Sequence, residues 1–284
     1  MSGTKTELTI ELDAPNIGSN EKKWVNEALD STFISTFGPF VPQFEEKLSS
    51  YLGVDSAVSL QSGTAALHMA LYELGVGAGD EVIVPNLSFI ATANPVKYVG
   101  AEPVFADVEL DTWNIDPDDV KRRISNRTKA IIAVHFYGNP CDMDRVMAIA
   151  KDHGLWVIED ASESLGALYQ GRQTGSIGDF GCFSFNGNKV ITTGGGGCLI
   201  GKDSERVEHV RFLVNQARDH DRGYIHPEIG FNYRMTNLEA SLGMAQLERL
   251  DEFLEKKREF NRIYKEQLRD FHDICFQQSR EGNL

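Results

Sequence analysis

Lys189 sits in FSFNGNKVITTGGGG, residues 183–197, between apolar Phe183, Phe185, Val190 and Ile191 and beside a tight Asn186-Gly187-Asn188 turn. A lysine amine becomes a useful nucleophile only when its pKa falls well below its free value of about 10.4, through desolvation or neighbouring positive charge. Earlier in the chain, Asp160 closes the run Trp156-Val157-Ile158-Glu159. An acid at the end of an apolar strand is costly unless it is paired, although a strand-end turn would also accept one. A buried carboxylate is the natural partner for the protonated nitrogen of a pyridine ring, as in pyridoxal 5′-phosphate chemistry. Ser62-Gly63-Thr64 and the run Gly194–Gly197 offer backbone for a phosphate. The glycine run lacks the Lys-Ser/Thr that follows in a nucleoside-triphosphate loop, so that reading fails. Acid, lysine and phosphate-cradling glycines together point to Schiff-base chemistry.

The elements that must position these groups alternate along the chain. Residues 1–14 read as a loose arm, and 21–29 and 40–51 as amphipathic helices around the turn Thr36-Phe37-Gly38-Pro39. Strands are expected over 57–60, 81–84, 103–107, 130–135 and 155–159. Helices are expected over 64–74, 89–98, 117–124 (started by Asp116) and 143–153. Such alternation predicts an α/β fold with a mainly parallel sheet between helices. Ligands in such sheets bind at the carboxyl ends of strands, where Gln61-Ser62-Gly63-Thr64 and Glu159-Asp160 fall. Beyond Gly201 the pattern turns helical, with Leu238, Leu242 and Ala245, then Leu247, Leu250 and Leu254, continuing as one long helix toward Leu268.

Composition narrows the function classes. The 284 residues are 41% hydrophobic and 25% charged, as in an ordinary globular protein. A net charge of -14 argues against nucleic acid and anionic membrane as partners, while helix N-termini and a few arginines suffice for a diphosphate. The N-terminus has no signal-peptide order and no apolar run is long enough to span a bilayer, so a cytoplasmic location is expected. Cys141, Cys182, Cys198 and Cys275 have neither C-x-x-C nor Cys/His metal spacing, and read as reduced packing thiols with no metal site.

FSFNGNKVITTGGGG, preceded by EDASESLGA and followed by the block Glu228-Ile-Gly-Phe-Asn-Tyr-Arg-Met-Thr-Asn237, resembles the sugar-nucleotide aminotransferases of the DegT/DnrJ/StrS type. The resemblance covers the chain from about Pro15 to its end, in three separate blocks in the right order. It implies the aspartate aminotransferase-like fold (fold type I), with a seven-stranded sheet and pyridoxal 5′-phosphate as cofactor. It also implies a large cofactor-binding domain over residues 1–235, with 236–284 holding the long helix and the start of a C-terminal small domain that is otherwise largely absent. FNGNKVITTGGGG is most similar to enzymes that aminate C4 of UDP-4-keto-6-deoxy-N-acetylglucosamine for surface glycans. The implied reaction takes the amino group from L-glutamate.

Residue by residue, the resemblance makes Lys189 the Schiff-base lysine and Asp160 the partner of the pyridine nitrogen. Gly63, Thr64 and Ser184 match phosphate-binding positions; on spacing alone Ser184 could equally be a polar residue alternating on a strand. Phe89 matches an aromatic that stacks on the ring, against a plain reading as core. Glu163 stands where the family usually has Gln or His near the phenolic oxygen. A glutamate there repels a phenolate unless it is protonated or turned away, so its role stays open. Asn232 matches a residue that reaches the partner subunit's phosphate, which implies a homodimer with shared sites. Arg234 reads as structural, His68 as a core or interface histidine, and His135 lies nearer the site without an assigned role. A dehydratase branch of the family replaces the lysine with histidine, and Lys189 argues against it. A shortened, non-catalytic homologue is the other alternative. Nucleotide, sugar epimer and the carbon attacked have no readable code.

Overall fold

Strands whose side chains are apolar on both faces must be covered on both, and the chain does this with helices. A computed structural model describes residues 14–219, 221 and 223–284; the expected N-terminal arm lies, apart from Ala14, outside them. In chain order the strands are β1 (Ala57–Leu60), β2 (Glu81–Pro85), β3 (Glu102–Ala106), β4 (Thr128–Val134), β5 (Trp156–Asp160), β6 (Leu168–Tyr169), β7 (Arg172–Gln173), β8 (Phe180–Ser184) and β9 (Gly197–Gly201). The helices are α1 (Ser19–Asp30), α2 (Phe40–Leu52), α3 (Gly63–Glu73), α4 (Asn94–Tyr98), α5 (Pro117–Arg123), α6 (Met143–His153), α7 (Ser204–Val214), α8 (Asn237–Leu247) and α9 (Leu250–Gln267). Asp116 caps α5 as expected, its Oδ1 accepting the Asp118 N–H at 2.9 Å.

Seven strands form one sheet in the order β1-β9-β8-β5-β4-β2-β3, while β6 and β7 pair as a separate ribbon. Only β9 runs against the other six, so the expected seven-stranded, mainly parallel sheet is present. Alternating residues feed opposite faces. Val82, Val84, Ile132 and Ile158 pack with Leu67 and Leu71 of α3 and Leu213 of α7. Ile83, Ile131 and Val157 pack with Val146 of α6, and Phe183 and Ile200 with Phe44 of α2 and Met244 of α8. α3 is buried continuously from Ala65 to Leu71, as a helix apolar nearly all round must be. His68 of α3 is a packed histidine, as expected. Its Nδ1 is 3.2 Å from Tyr233 Oη, the Tyr98 and Phe231 rings stand edge-on to it, and burial lowers its pKa.

Two expected elements differ. The helix expected over 89–98 is a single tight turn over 90–92 followed by α4. Pro95 has no N–H to give to residue 91, so it fits only in the first turn of a new helix. The long helix expected over 238–268 is two helices, α8 and α9, separated at Glu248-Arg249. Neither residue is a helix breaker. Arg249 is drawn to the buried Glu21 of α1, its Nη1 donating to Oε1 at 3.1 Å, and no local periodicity carries that tertiary contact.

β9 packs so closely on the start of α3 that a Cβ at Gly197 would collide with the backbone of Ser62 and Gly63. Gly197→Ala should therefore lose about 1–3 kcal/mol of stability and displace the α3 N-terminus. Urea unfolding, with cofactor retention measured in parallel, checks it; wild-type values in both would contradict this packing.

Candidate active site

Because six strands point the same way, the residues that follow them meet along one edge. There they line a cavity of about 350 Å³ that includes Gly63, Thr64, Phe89, Asp160, Glu163, Ser184 and Lys189. Seven of the eight expected site residues thus converge.

Asp160 ends β5 and is 6% exposed. Its Oδ2 accepts the Thr92 hydroxyl at 2.8 Å and its Oδ1 the Ser162 N–H at 3.2 Å. Ser88 Oγ is 2.6 Å from Thr92 Oγ1. Thr92 has one proton, given to Asp160, so Ser88 donates to Thr92. Thr92, Ser88 and Ser162 were not read from sequence; hydroxyls in short turns carry no pattern that separates them from loop residues. α3 begins beside this acid. Ser62 caps it by accepting the Ala65 N–H at 3.0 Å, and the remaining first-turn N–H groups have no intrahelical partner. With Ser184 and Ser162 on the same wall, they make a place for an anion.

The Lys189 side chain is 16% exposed, and its Nζ lies 3.5 Å from Glu163 Oε1. Glu163 Oε2 accepts the Tyr137 N–H at 2.8 Å, so the protein engages both carboxylate oxygens. Phe89 is 71% exposed at the cavity wall, which removes the core reading. Asn232 is exposed and does not line the cavity. Arg234 is structural, its Nη2 donating to Thr36 O at 2.6 Å and its Nη1 to Asn215 Oδ1 at 3.2 Å.

Behind Asp160, on the opposite face of β5, lies a pair the sequence did not assign. Glu159 and His135 are fully buried, with His135 Nε2 2.8 Å from Glu159 Oε2. His135 Nδ1 accepts the Cys141 N–H at 3.0 Å. The ring therefore carries its proton on Nε2 and is neutral, and the contact is a hydrogen bond to a carboxylate. Glu159 also accepts the N–H groups of Gly175, Ile177 and Gly178 at 2.6–2.9 Å.

A buried acid, an amine and a helix N-terminus with hydroxyls suit a phosphorylated pyridine aldehyde. Residues 15–283 match the DegT/DnrJ/EryC1/StrS aminotransferase family. The chain belongs to that family. It is 47% identical over 259 residues to the GDP-perosamine synthase of Caulobacter vibrioides, covering 91% of this chain and 70% of that one. It is 46% identical over 273 residues to EpsN of Bacillus subtilis, a putative pyridoxal phosphate-dependent aminotransferase, covering 94% and 70%. The PLP form of the putative sugar aminotransferase Spr1654 from Streptococcus pneumoniae superposes with a TM-score of 0.88 at 31% identity, covering 93% and 72%. The fold is thus that of the fold-type-I pyridoxal phosphate enzymes, the chain is a sugar aminotransferase of this family, and pyridoxal 5′-phosphate is its cofactor. Among the described residues, no helix is long and apolar enough to cross a membrane.

Burial pushes the Glu159 carboxyl pKa up, but the His135 hydrogen bond and the backbone N–H groups outweigh it, and the net direction is down. A lowered folded-state pKa stabilises above the unfolded value of about 4.3, and that stabilisation is lost as pH falls through the folded value. Glu159→Gln should cost about 2–4 kcal/mol at pH 7, and the gap from wild type should narrow toward acid. Urea unfolding at pH 7 and pH 4 tests this; an equal gap at both would mean Glu159 is not folded as a carboxylate.

Proposed function

We propose that this enzyme transfers an amino group from L-glutamate to the 4-keto group of a nucleotide-linked 6-deoxy sugar. The observation that carries the reading is that Lys189, Asp160 and the α3 N-terminus face one cavity. The pyridoxal ring, when bound, supplies the electron sink for proton loss next to nitrogen. Asp160, aimed by Thr92 and Ser162, holds the proton on the ring nitrogen. Gly63 and Thr64 with Ser184 bind the phosphate, and Phe89 covers the ring. Lys189 Nζ would hold the cofactor through its aldehyde carbon and, as the one amine at the cavity wall, would carry a proton to and from the reacting carbons. Glu163 is turned to Lys189 and Tyr137 and keeps Nζ at the wall.

The sugar carrier expected from FNGNKVITTGGGG was UDP, with an N-acetylated sugar. The Caulobacter relative's name supports a GDP-linked sugar instead, so both belong in one panel. The same reading takes residues 1–235 as the cofactor-binding unit and 236–284 as the lead into a smaller one; α9 buries only Leu250 and Phe253, as a helix between units would. It also makes the protein a homodimer in which Asn232, which does not line its own cavity, reaches the partner's phosphate.

Lys189→Ala should abolish transamination and the visible absorbance of bound cofactor. Borohydride reduction that labels a peptide without Lys189 would overturn its role. Asp160→Asn should slow turnover by about 10²-fold or more, several kcal/mol of barrier, and a rate within a few-fold of wild type would reject the pairing. Mixing inactive Lys189→Ala with inactive Asn232→Ala protomers should restore partial activity, because one site in each mixed dimer is intact. A monomer by light scattering with full cofactor occupancy would refute sharing. Turnover of GDP- against UDP-linked 4-keto-6-deoxy sugars with glutamate decides the carrier.

A further inference from the structure

Among the described residues lining the Lys189 cavity, Asp160 and Glu163 are the only acids and Lys189 is the only cation. Asp160 already accepts from Thr92 and Ser162. Glu163 is the acid that meets the amine, with Oε1 3.5 Å from Lys189 Nζ and side chains 26% and 16% exposed. Water therefore screens the pair only in part. On its far side Glu163 faces a space lined by Lys257, Arg258 and Lys265 of α9.

Two fixed segments aim this carboxylate. Its own turn is pinned to β8, where the Ala161 N–H donates to Cys182 O at 2.8 Å, and is closed by the Ser164 N–H on Ala161 O at 3.1 Å. The other segment carries Tyr137, whose N–H donates to Oε2 at 2.8 Å. Tyr137 has a φ of 51°. Bulky side chains avoid that left-handed region, and such strain persists only where the surroundings impose it. Here Asn114 Oδ1 accepts the Phe136 N–H at 3.1 Å, and Gln277 Nε2 donates to Phe136 O at 3.0 Å. A strained residue thus engages Oε2 and leaves Oε1 for Nζ.

We propose that Glu163 is the positioning residue that makes Lys189 an effective base: it stabilises the ammonium formed when Nζ takes up a proton and keeps that proton directed into the cavity. A carboxylate that orients a base and stabilises its charged form, without itself taking the proton, plays the same part beside the histidine of a serine-protease triad. In the first half of the reaction the C–H bond beside the donor nitrogen breaks. Its electron pair passes into the ring and an N–H bond forms at Nζ. In the second half that N–H bond breaks and a C–H bond forms at the sugar carbon that receives the amine. The proton balance closes with no further reactant. Without Glu163 the positive charge would develop against hydroxyls, amides and apolar groups, with Asp160 committed elsewhere. The assignment rests on the aminotransferase reading above.

Glu163→Gln keeps the side-chain shape and an oxygen for the Tyr137 N–H while removing the charge. Two measurements on the loaded enzyme separate the roles. One is the rate at which glutamate, with hydrogen or deuterium at its α-carbon, changes the cofactor spectrum. The other is labelling of Lys189 by trinitrobenzenesulfonate across pH, located by peptide mapping, in enzyme loaded with pyridoxamine 5′-phosphate so that Nζ is free. In Glu163→Gln the glutamate reaction should slow about ten-fold or more, with a larger deuterium effect. Labelling of Lys189 should become about ten-fold faster at neutral pH, its profile moved toward acid, because loss of the carboxylate favours the uncharged amine. Glu163→Asp, which keeps the charge, should stay nearer the wild type in labelling. A merely structural role would slow both variants and leave the labelling profile where it was; that result would overturn the proposal, as would a glutamate reaction within two-fold of wild type in Glu163→Gln. If glutamate leaves the wild-type spectrum unchanged, the aminotransferase reading falls instead.

Discussion

The buried carboxylate of Glu159 is the constraint on which the site edge depends. A charge taken fully out of water costs several kcal/mol unless donors replace the lost hydration, and Glu159 gathers four. One comes from His135 after β4, and three from Gly175, Ile177 and Gly178 before β8. Those segments flank β5 on either side in the sheet. One carboxylate therefore ties three neighbouring strands together at their functional end. The His135 N–H adds a backbone tie to Asp160 O. With residue 159 fixed on one face, strand alternation sends residue 160 to the other, toward α3 and the cavity.

Two adjacent acids thus work in opposite ways. Glu159 has four protein donors, a neutral histidine among them, and nothing left to offer a ligand. Asp160 has one hydroxyl and one amide and faces the cavity. Its pairing with neutral groups leaves room for a cation to approach, whereas a lysine or arginine partner would have filled that role already. Lys189 is placed by a third acid, Glu163, whose other oxygen is committed to Tyr137.

Much of this was legible in the sequence because period and punctuation speak locally. The strands read over 57–60 and 81–84 and the helix over 143–153 follow from apolar runs bounded by glycine, proline or an Asp cap. Asp160 and Lys189 stood out because an acid after an apolar strand and a lysine among apolar and glycine neighbours need a reason. What stayed hidden depends on contacts distant in sequence. The break between α8 and α9 rests on Arg249 meeting Glu21. Thr92 is an ordinary turn hydroxyl until β5 brings Asp160 to it. His135 could be seen near the site, but its carboxylate partner could not, because Glu159 reads as half of an Glu-Asp pair rather than as the residue facing away.

The exposed apolar residues make sense of the one expected site residue that stands apart. Phe89, Ile90 and Tyr98 follow β2, Tyr224 and Ile229 precede Asn232, and Phe33, Ile34 and Phe37 lie between α1 and α2; all are exposed. Single exposed apolar residues are ordinary. Runs of them beside the cavity and on the approach to Asn232 are the kind of surface that protein contacts cover. In the proposed dimer, covering them would also remove water from the mouth of the Lys189 cavity, where charge develops and solvent would weaken every electrostatic contact. On that arrangement, site sharing and water exclusion would have the same cause, since the surface around Asn232 would be the one that meets the partner.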